Sequence, residues 1–218
     1  HVLFTARPAF GTELEWLFEY LQSRKQPAEY LKIPFRHLLV SQFNLISRFD
    51  ELISREIRNA RNGRPARIII KLNNLQERAM ISRLYKAAEA GVTIELIVRS
   101  ICCLAPGVNK NITVRRIVDR YLEHGRVFIF HNDGQPEYYM GSADWMNRNL
   151  HSRIEVCFPI YDKKNCEEIN EIIQLQLNDT RKAVLLNDEL ENKRLLDDGE
   201  ETGFAAQEAI YNYVRNLE

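Results

Sequence analysis

The chain has 218 residues, of which 45% are hydrophobic and 28% are charged, and this is ample for one well-packed core. Its 30 basic and 30 acidic side chains balance, so the formal net charge is zero. That balance argues against a general nucleic-acid-binding protein, for which a strongly basic domain is expected. No apolar run approaches the roughly 20 residues that a membrane-spanning helix needs.

The beginning of the chain predicts a fragment. It opens with His1 and not with methionine, and residues 1–5 have the composition of a strand that continues from something upstream. Apolar residues at helical spacing predict a helix over 11–21. The polar, proline-containing residues 22–36 predict a domain boundary. We therefore divide the chain into a tail of a preceding domain, residues 1–30, and a main domain, residues 35–218.

The next part alternates between helical and strand patterns. In chain order it predicts a strand over 37–40, a helix over 46–61, a strand over 66–72, a helix over 76–90 and a strand over 92–98. The order strand, helix, strand predicts a parallel pair with a right-handed crossover.

The second half of the chain predicts a β-hairpin. Val127–Phe130 is rich in β-forming residues, Asn132-Asp133-Gly134 has turn chemistry, and Glu137–Met140 reads as the second strand. The other predicted elements are strands over 112–117 and 152–159, helices over 163–178 and 207–217, and a surface or mobile loop over 187–201. That loop carries seven acidic side chains against two basic ones, a net charge of −5.

These elements together predict an α/β protein in which a mixed sheet has helices on both faces. In such sheets, functional groups collect at the C-terminal ends of the strands. Lys71 and Asn73 end one predicted strand and Arg99 ends the next. A site is therefore expected at this edge of the sheet.

His124 carries the clearest functional pattern. It forms an H-x-R motif with Arg126, and a strand, a turn and Gly141-Ser142 follow. A neutral imidazole, fixed cations and open backbone N–H groups are what phosphoryl transfer requires, because that chemistry is mainly positioning and charge stabilisation. If the motif is set aside, the alternative interpretation of His124 is an exposed histidine at a strand end with no functional role. The other four histidines lack such a motif, and we expect His131, at the far end of the hairpin strand, to lie away from the site.

A local group of arginines could bind a polyanion despite the zero net charge. Ordinary solvated surface positions are the alternative for each of them. The group comprises Arg115, Arg116, Arg120, Arg126, Arg148 and Arg153.

The four cysteines predict a reduced, cytoplasmic protein. There is no C-x-x-C motif, and the neighbouring pair Cys102-Cys103 is a poor candidate for a disulfide. Buried thiols are expected, and a structural zinc site is not.

The motif around His124 resembles the half-site of the phospholipase D superfamily. That pattern has Lys two places after the histidine, Asp seven places after it, and Gly-Ser-x-Asn further on. Here Arg126 replaces the lysine, His131 stands at the aspartate position, and Asp144 stands where asparagine is usual. The match to this general pattern is therefore partial.

Longer blocks resemble one relative of that superfamily more closely. They are IIIKLNNL (68–75), IVRSICCLAPGV (97–108), RYLEHGRVFIF (120–130) and GSADWMNRNLHSRIEV (141–156). In this order they resemble the C-terminal catalytic region of the bacterial polyphosphate kinases that synthesise long chains.

The resemblance implies a phospholipase-D-like fold and reversible transfer of the terminal phosphate of ATP to polyphosphate. It implies that the phosphorylated histidine belongs to an upstream domain, that His124 is a nucleotide-site residue and general acid or base, and that Arg99 contacts ATP. Mg²⁺ is also implied, with ligands outside this chain, so no metal ligand is predicted here. The implied partners are ATP or ADP, polyphosphate and the upstream domains of the same polypeptide. A cytoplasmic homo-oligomer is expected for the intact enzyme, with membrane association left open.

Physical reasoning independent of the resemblance gives five candidates for lining a polyphosphate path: Lys71, Arg126, Ser142, Arg148 and Arg153. The planar fork of arginine matches phosphate oxygens, and Ser142 with the backbone around Gly141 could donate to an equatorial oxygen. Ordinary salt bridging is the alternative, and Glu155 is a candidate partner for one of the arginines.

Two other functions stay open. In a phospholipase-D-like phosphodiesterase or nuclease, two chains would each give one motif, although Arg126, Asp144 and the CCLAPG loop count against this. In a non-catalytic polyanion-binding module, His124 and the arginines would only hold phosphate. Because the nucleophile is missing, we expect no ATP–polyphosphate transfer by these 218 residues alone.

Overall fold

The computed structural model describes residues 3–23, 33–196 and 203–217. In these ranges the strands are β1 (Leu39–Val40), β2 (Arg67–Leu72), β3 (Thr93–Val98), β4 (Ile112–Ile117), β5 (Arg126–Phe130), β6 (Glu137–Gly141), β7 (Val156–Ile160), β8 (Ala183–Leu186) and β9 (Asn192–Arg194). The helices are α1 (Pro8–Ser23), α2 (Leu45–Arg61), α3 (Arg78–Glu89), α4 (Asn147–His151), α5 (Lys163–Leu177) and α6 (Ala206–Arg215).

All the described strands join one mixed sheet in the order β1-β7-β6-β5-β2-β3-β4-β8-β9. Strands β2, β3 and β4 are parallel, and the other neighbours are antiparallel. Helix α3 connects β2 to β3, as the strand–helix–strand order predicts. Because β5 runs antiparallel to β2, the beginning of β5 lies at the same edge as the ends of β2 and β3.

Helices cover both faces of the sheet, which confirms the predicted α/β architecture. On one face, alternate side chains of the central strands pack against α2 and α3, with Phe49 of α2 and Trp145 fully buried. On the other face, the intervening side chains, such as Ile69 and Ile129, pack against Ile173 of α5. The strands alternate between two apolar faces, so they read as continuous hydrophobic runs.

Three predicted elements differ from the structure. Leu3–Arg7 has no regular structure, because no strand of the sheet pairs with it, and residues 1 and 2 lie outside the described ranges. The strand predicted over 152–159 begins only at Val156, after the short helix α4.

The acidic segment is the third difference. It was predicted as a loop, but its part Asn192–Arg194 is strand β9, paired with β8. The side chain of Asn187 accepts hydrogen bonds from the backbone N–H groups of Glu189 and Glu191, and this Asx-type turn closes the hairpin. Residues 197–201 lie outside the described ranges.

Helix α1 is tied to the sheet by one buried carboxylate. Glu13 is 4% exposed, and it accepts hydrogen bonds from the backbone N–H groups of Arg36 (2.8 Å), His37 (3.1 Å to both oxygens) and Leu38 (2.7 Å). Apolar side chains of α1 pack in the same cluster as Val40 of β1. The division into residues 1–30 and 35–218 stays a prediction, since residues 24–32 are not described.

No helix in the described ranges combines the length and the apolar character that crossing a lipid bilayer requires.

Replacing Glu13 tests how α1 is held. We expect Glu13→Ala to lower the free energy of unfolding by about 3 kcal/mol, because three backbone N–H groups lose their acceptor. Glu15→Ala, on the exposed face of the same helix, should change it by less than about 0.5 kcal/mol. Urea denaturation of both variants measures the difference, and equal effects would show that the carboxylate does not hold α1.

Candidate active site

The sheet brings His124 and Arg99 together through a third residue, Asn73. Asn73 follows β2, Arg99 follows β3, and His124 precedes β5, so all three lie at the same edge. Nδ1 of His124 lies 3.3 Å from Nδ2 of Asn73. Nε and Nη2 of Arg99 donate to Oδ1 of Asn73 at 3.2 and 3.1 Å. Asn73 and Arg99 thus lie at the strand ends where the sequence predicts a site, and that a site is present there stays a prediction.

The loop that follows β2 is fixed on both sides by backbone hydrogen bonds. Leu75 donates to the carbonyl of Ile101 and accepts from the N–H of Cys103, each at 2.8 Å. The N–H groups of Gln76 and Glu77 both donate to the carbonyl of Trp145 at 2.8 Å. The loops after β2, β3 and β6 therefore form one rigid edge.

Asp144 and Arg126 form a buried, bidentate ion pair beside this loop. Nε and Nη2 of Arg126 donate to the two oxygens of Asp144 at 3.2 and 3.0 Å, and Nη1 donates to the carbonyl of His124 at 2.7 Å. Asp144 also accepts from the backbone of Asn73 and Asn74. Burial raises the pKa of Asp144, but hydrogen bonds from Arg126 and Asn74 outweigh it, so this pKa lies below its ordinary value.

Lys71 is buried at the same edge, with its ammonium group already occupied. It forms an ion pair with Glu123, the residue before His124, and it donates to Oε1 of Gln176 at 3.1 Å. Burial lowers the pKa of the Lys71 ammonium; the charge of Arg99 acts in the same direction, although Glu123 opposes both. The lysine therefore supports the segment that carries His124.

Ser142 lies near His124, but its hydroxyl group has a partner. It donates to Glu155, and Asn149 also donates to this carboxylate. The prediction that Glu155 pairs with an arginine is therefore wrong, because its two oxygens accept from these polar neutral groups. Position 141 requires glycine because the neighbouring strand lies too close for a side chain. A Cβ there would lie 2.4 Å from the carbonyl oxygen of Val156.

The remaining predicted arginines divide into two groups. Arg148 and Arg153 are exposed, and among the described contacts neither guanidinium has a polar partner. Arg115 and Arg116 donate to carbonyl groups of the neighbouring backbone, and Arg120 lies over the ring of Tyr121. No polar contact in the described ranges joins any of these five side chains to His124.

A groove of about 790 Å³ opens beside His124. Its polar lining includes His124, Arg126 and Ser142, and the rest of the lining is largely apolar. The apolar lining includes Leu3, Phe10, Leu14, Leu122, Met140 and Phe158. An apolar cleft with a few convergent polar groups is typical of a site for a small molecule.

The described residues do not fit a resident Mg²⁺ ion. No group of three or more His, Cys, Asp or Glu side chains among them is arranged to hold a metal. We therefore derive no step through the ion that the family resemblance implies.

The sequence predicts the edge of the sheet but not the contacts within it. It places Asn73 at the end of a strand without showing that it neighbours His124, and it shows Asp144 only as a departure from a motif. The pair Asn73-Asn74 after a buried strand is the signal that could have pointed to this loop, because amides there have no strand partners.

Comparison with known proteins gives consistent matches. A family described as "Polyphosphate kinase C-terminal domain 2" matches residues 38–207. The polyphosphate kinase of Vibrio vulnificus is 41% identical over 99% of this chain, and that of Escherichia coli is 40% identical over 99%. The crystal structure of a Porphyromonas gingivalis polyphosphate kinase superposes with a TM-score of 0.89, at 40% identity over 98% of this chain. The chain spans 30–32% of the length of these relatives.

Asp144 provides a test of the site's electrostatics. At neutral pH, we expect Asp144→Asn to lower the free energy of unfolding by about 3 kcal/mol, because it leaves Arg126 buried without a counter-charge. Since the pKa of Asp144 is lowered in the folded protein, its contribution is fully present above the ordinary aspartate value of about 4 and is lost as the pH falls further.

The gap between the wild type and Asp144→Asn should accordingly narrow below about pH 4. Denaturation at a series of pH values measures it. Asp133→Asn is the matched control, because Asp133 pairs with Arg64 at the exposed hairpin turn. A difference in unfolding free energy that stays constant as the pH falls would contradict a lowered pKa for Asp144 in the folded protein.

Proposed function

Because the chain belongs to the polyphosphate kinase C-terminal domain family, we propose that it forms the nucleotide-binding half of a site that transfers phosphate between ATP and polyphosphate. The observation that carries the proposal is the linked set of Arg99, Asn73 and His124, of which His124 lines the groove. Phosphoryl transfer requires fixed donors and cations around the phosphates, and this edge supplies both.

The groove suits a nucleoside triphosphate. A base and ribose can pack against the apolar wall, while the phosphates lie at the end that contains His124. Arg99 uses Nε and Nη2 on Asn73, which leaves Nη1 for a phosphate oxygen. ATP and ADP are therefore the proposed substrates at this site.

The nucleophilic histidine is proposed to come from a part of the protein outside the matched third. Among the described histidines, only His124 contacts Asn73. His37 contacts Tyr161, His131 accepts from the backbone of Gly134, and His151 lies 3.6 Å from Glu77. One histidine here supplies one of the two that the resemblance implies.

Arg148 and Arg153 are the leading candidates for a polyphosphate path, because their guanidinium groups are exposed. Lys71, Arg126 and Ser142 would have to exchange their present partners before they could bind phosphate directly. In the intact protein we propose ATP, polyphosphate and upstream domains as partners, with Mg²⁺ bound outside this chain. A homo-oligomer located in the cytoplasm remains our proposal.

A non-catalytic polyanion-binding role is the second candidate, for the isolated chain. The linked set of Arg99, Asn73 and His124 favours this role as well. The described part of the site contains one histidine, and binding a phosphate without transferring it would need no further group.

Titration of the chain with ATP and with polyphosphate tests the proposal. We expect Arg99→Ala and His124→Ala each to weaken ATP binding about tenfold or more, because a charge-assisted hydrogen bond to phosphate is lost. Arg61→Ala, which removes an exposed cation from the last turn of α2, should leave the affinity unchanged. Isothermal calorimetry gives the dissociation constants of the wild type and the three variants.

Two outcomes would contradict the proposal. Equal weakening by Arg61→Ala would show that only net charge matters. Cleavage of bis-p-nitrophenyl phosphate that disappears in His124→Ala would instead identify a phosphodiesterase assembled from two chains.

A further inference from the structure

The amide of Asn73 has a single possible orientation. Its side chain is buried between the guanidinium of Arg99 and the imidazole of His124, and the residue is 2% exposed. A guanidinium carries only donors, so the atom that faces Arg99 must be the amide oxygen. This assigns the amide from chemistry, independently of how the two similar atoms are placed. The NH₂ group therefore faces His124.

The orientation of Asn73 decides the tautomer of His124. Nδ1 of the imidazole lies 3.3 Å from the Asn73 nitrogen, which can only donate. Nδ1 must therefore accept, and it carries no proton. In the neutral ring the proton is then on Nε2.

That tautomer restricts what His124 can do. The lone pair of the ring is on Nδ1 and faces the NH₂ group of Asn73, so it is not available to a substrate. Nε2 carries the proton and presents an N–H that can donate a hydrogen bond.

We propose that Asn73, oriented by Arg99, is a positioning residue that holds His124 as an Nε2–H donor to a phosphate oxygen. The identity of the acceptor as a phosphate oxygen rests on the proposed function, whereas the tautomer does not.

The surroundings hold both partners in place. The backbone N–H of Asn73 donates to Asp144 at 2.9 Å. On the other side, Gln207 of α6 donates to Glu123 at 3.0 Å and exchanges hydrogen bonds of 2.8 and 2.9 Å with the backbone of Tyr121. The segment that carries His124 is thus fixed against helix α6.

Nitrogen NMR of the chain labelled at histidine tests the tautomer directly. At mildly alkaline pH, we expect His124 to show an unprotonated, pyridine-type Nδ1 and a protonated, pyrrole-type Nε2. The signals are assigned by their disappearance in His124→Gln. His131 is an internal reference, because its Nδ1 accepts from the backbone of Gly134 at 3.2 Å whatever residue stands at position 73.

Asn73→Asp is the decisive variant, because it replaces the NH₂ donor by an acceptor of the same shape. We expect the His124 proton to move to Nδ1, while the His131 signals stay unchanged. Arg99→Ala is a second variant, since without the guanidinium the amide can turn and His124 should show a mixture of tautomers. Unchanged signals of the other histidines report that each variant is folded. A protonated Nδ1 in the wild type, or no change in Asn73→Asp, would overturn the proposal.

Binding of inorganic tripolyphosphate separates this inference from the proposed function. If the expected tautomer is found but tripolyphosphate does not bind the wild type, the donor role at phosphate is overturned together with the proposed function, and only the tautomer assignment stands. If tripolyphosphate binds but Nδ1 is protonated, the inference fails and the proposed function stands. With both in place, we expect Asn73→Asp to weaken binding about tenfold, because it adds a negative charge and redirects the donor.

Discussion

The arrangement of the site depends on one buried carboxylate, Asp144. It accepts hydrogen bonds from Arg126 at the start of β5 and from the backbone after β2. A buried ion pair contributes little net stability against a hydrophobic alternative, because desolvation offsets the attraction. The ion pair instead fixes geometry, because it holds the start of β5 and the segment after β2 in one position relative to each other. Arg126 extends that constraint to the carbonyl of His124.

A second pair has the same effect from the other side. Lys71 and Glu123 join β2 to the residue before His124, and Gln176 and Gln207 complete the network from α5 and α6. Most charged groups at this edge are therefore occupied within the protein. The edge has fewer cations available for substrate than its sequence suggests, and of these Arg99 is held in advance by Asn73.

The sequence was sufficient for the central part of the fold. Helix α2 and strands β2 to β6 have strong periodicity and clear turn residues, and they occur close to their predicted positions. Helix α4 and strand β9 were missed because both are very short and β9 is fully exposed, so neither has a hydrophobic pattern. The strand predicted over residues 1–5 does not occur in its described part, because composition alone does not report whether a pairing partner exists.

The sequence predicts which residues share an edge of the sheet, but not which side chains contact one another there. That Lys71, Asn73 and Arg99 share an edge follows from the parallel pairing of β2 and β3. Sequence spacing does not encode side-chain directions. It therefore could not predict that Glu155 accepts from Ser142 and Asn149. Nor could it predict that Asn73 lies between Arg99 and His124. The distinction matters for chemistry, because an aspartate and an asparagine at position 73 would fit the same space and the same topology. An aspartate would favour the imidazole proton on Nδ1, whereas the asparagine present in this chain directs its NH₂ group at Nδ1, which is the basis of the proposed Nε2–H tautomer.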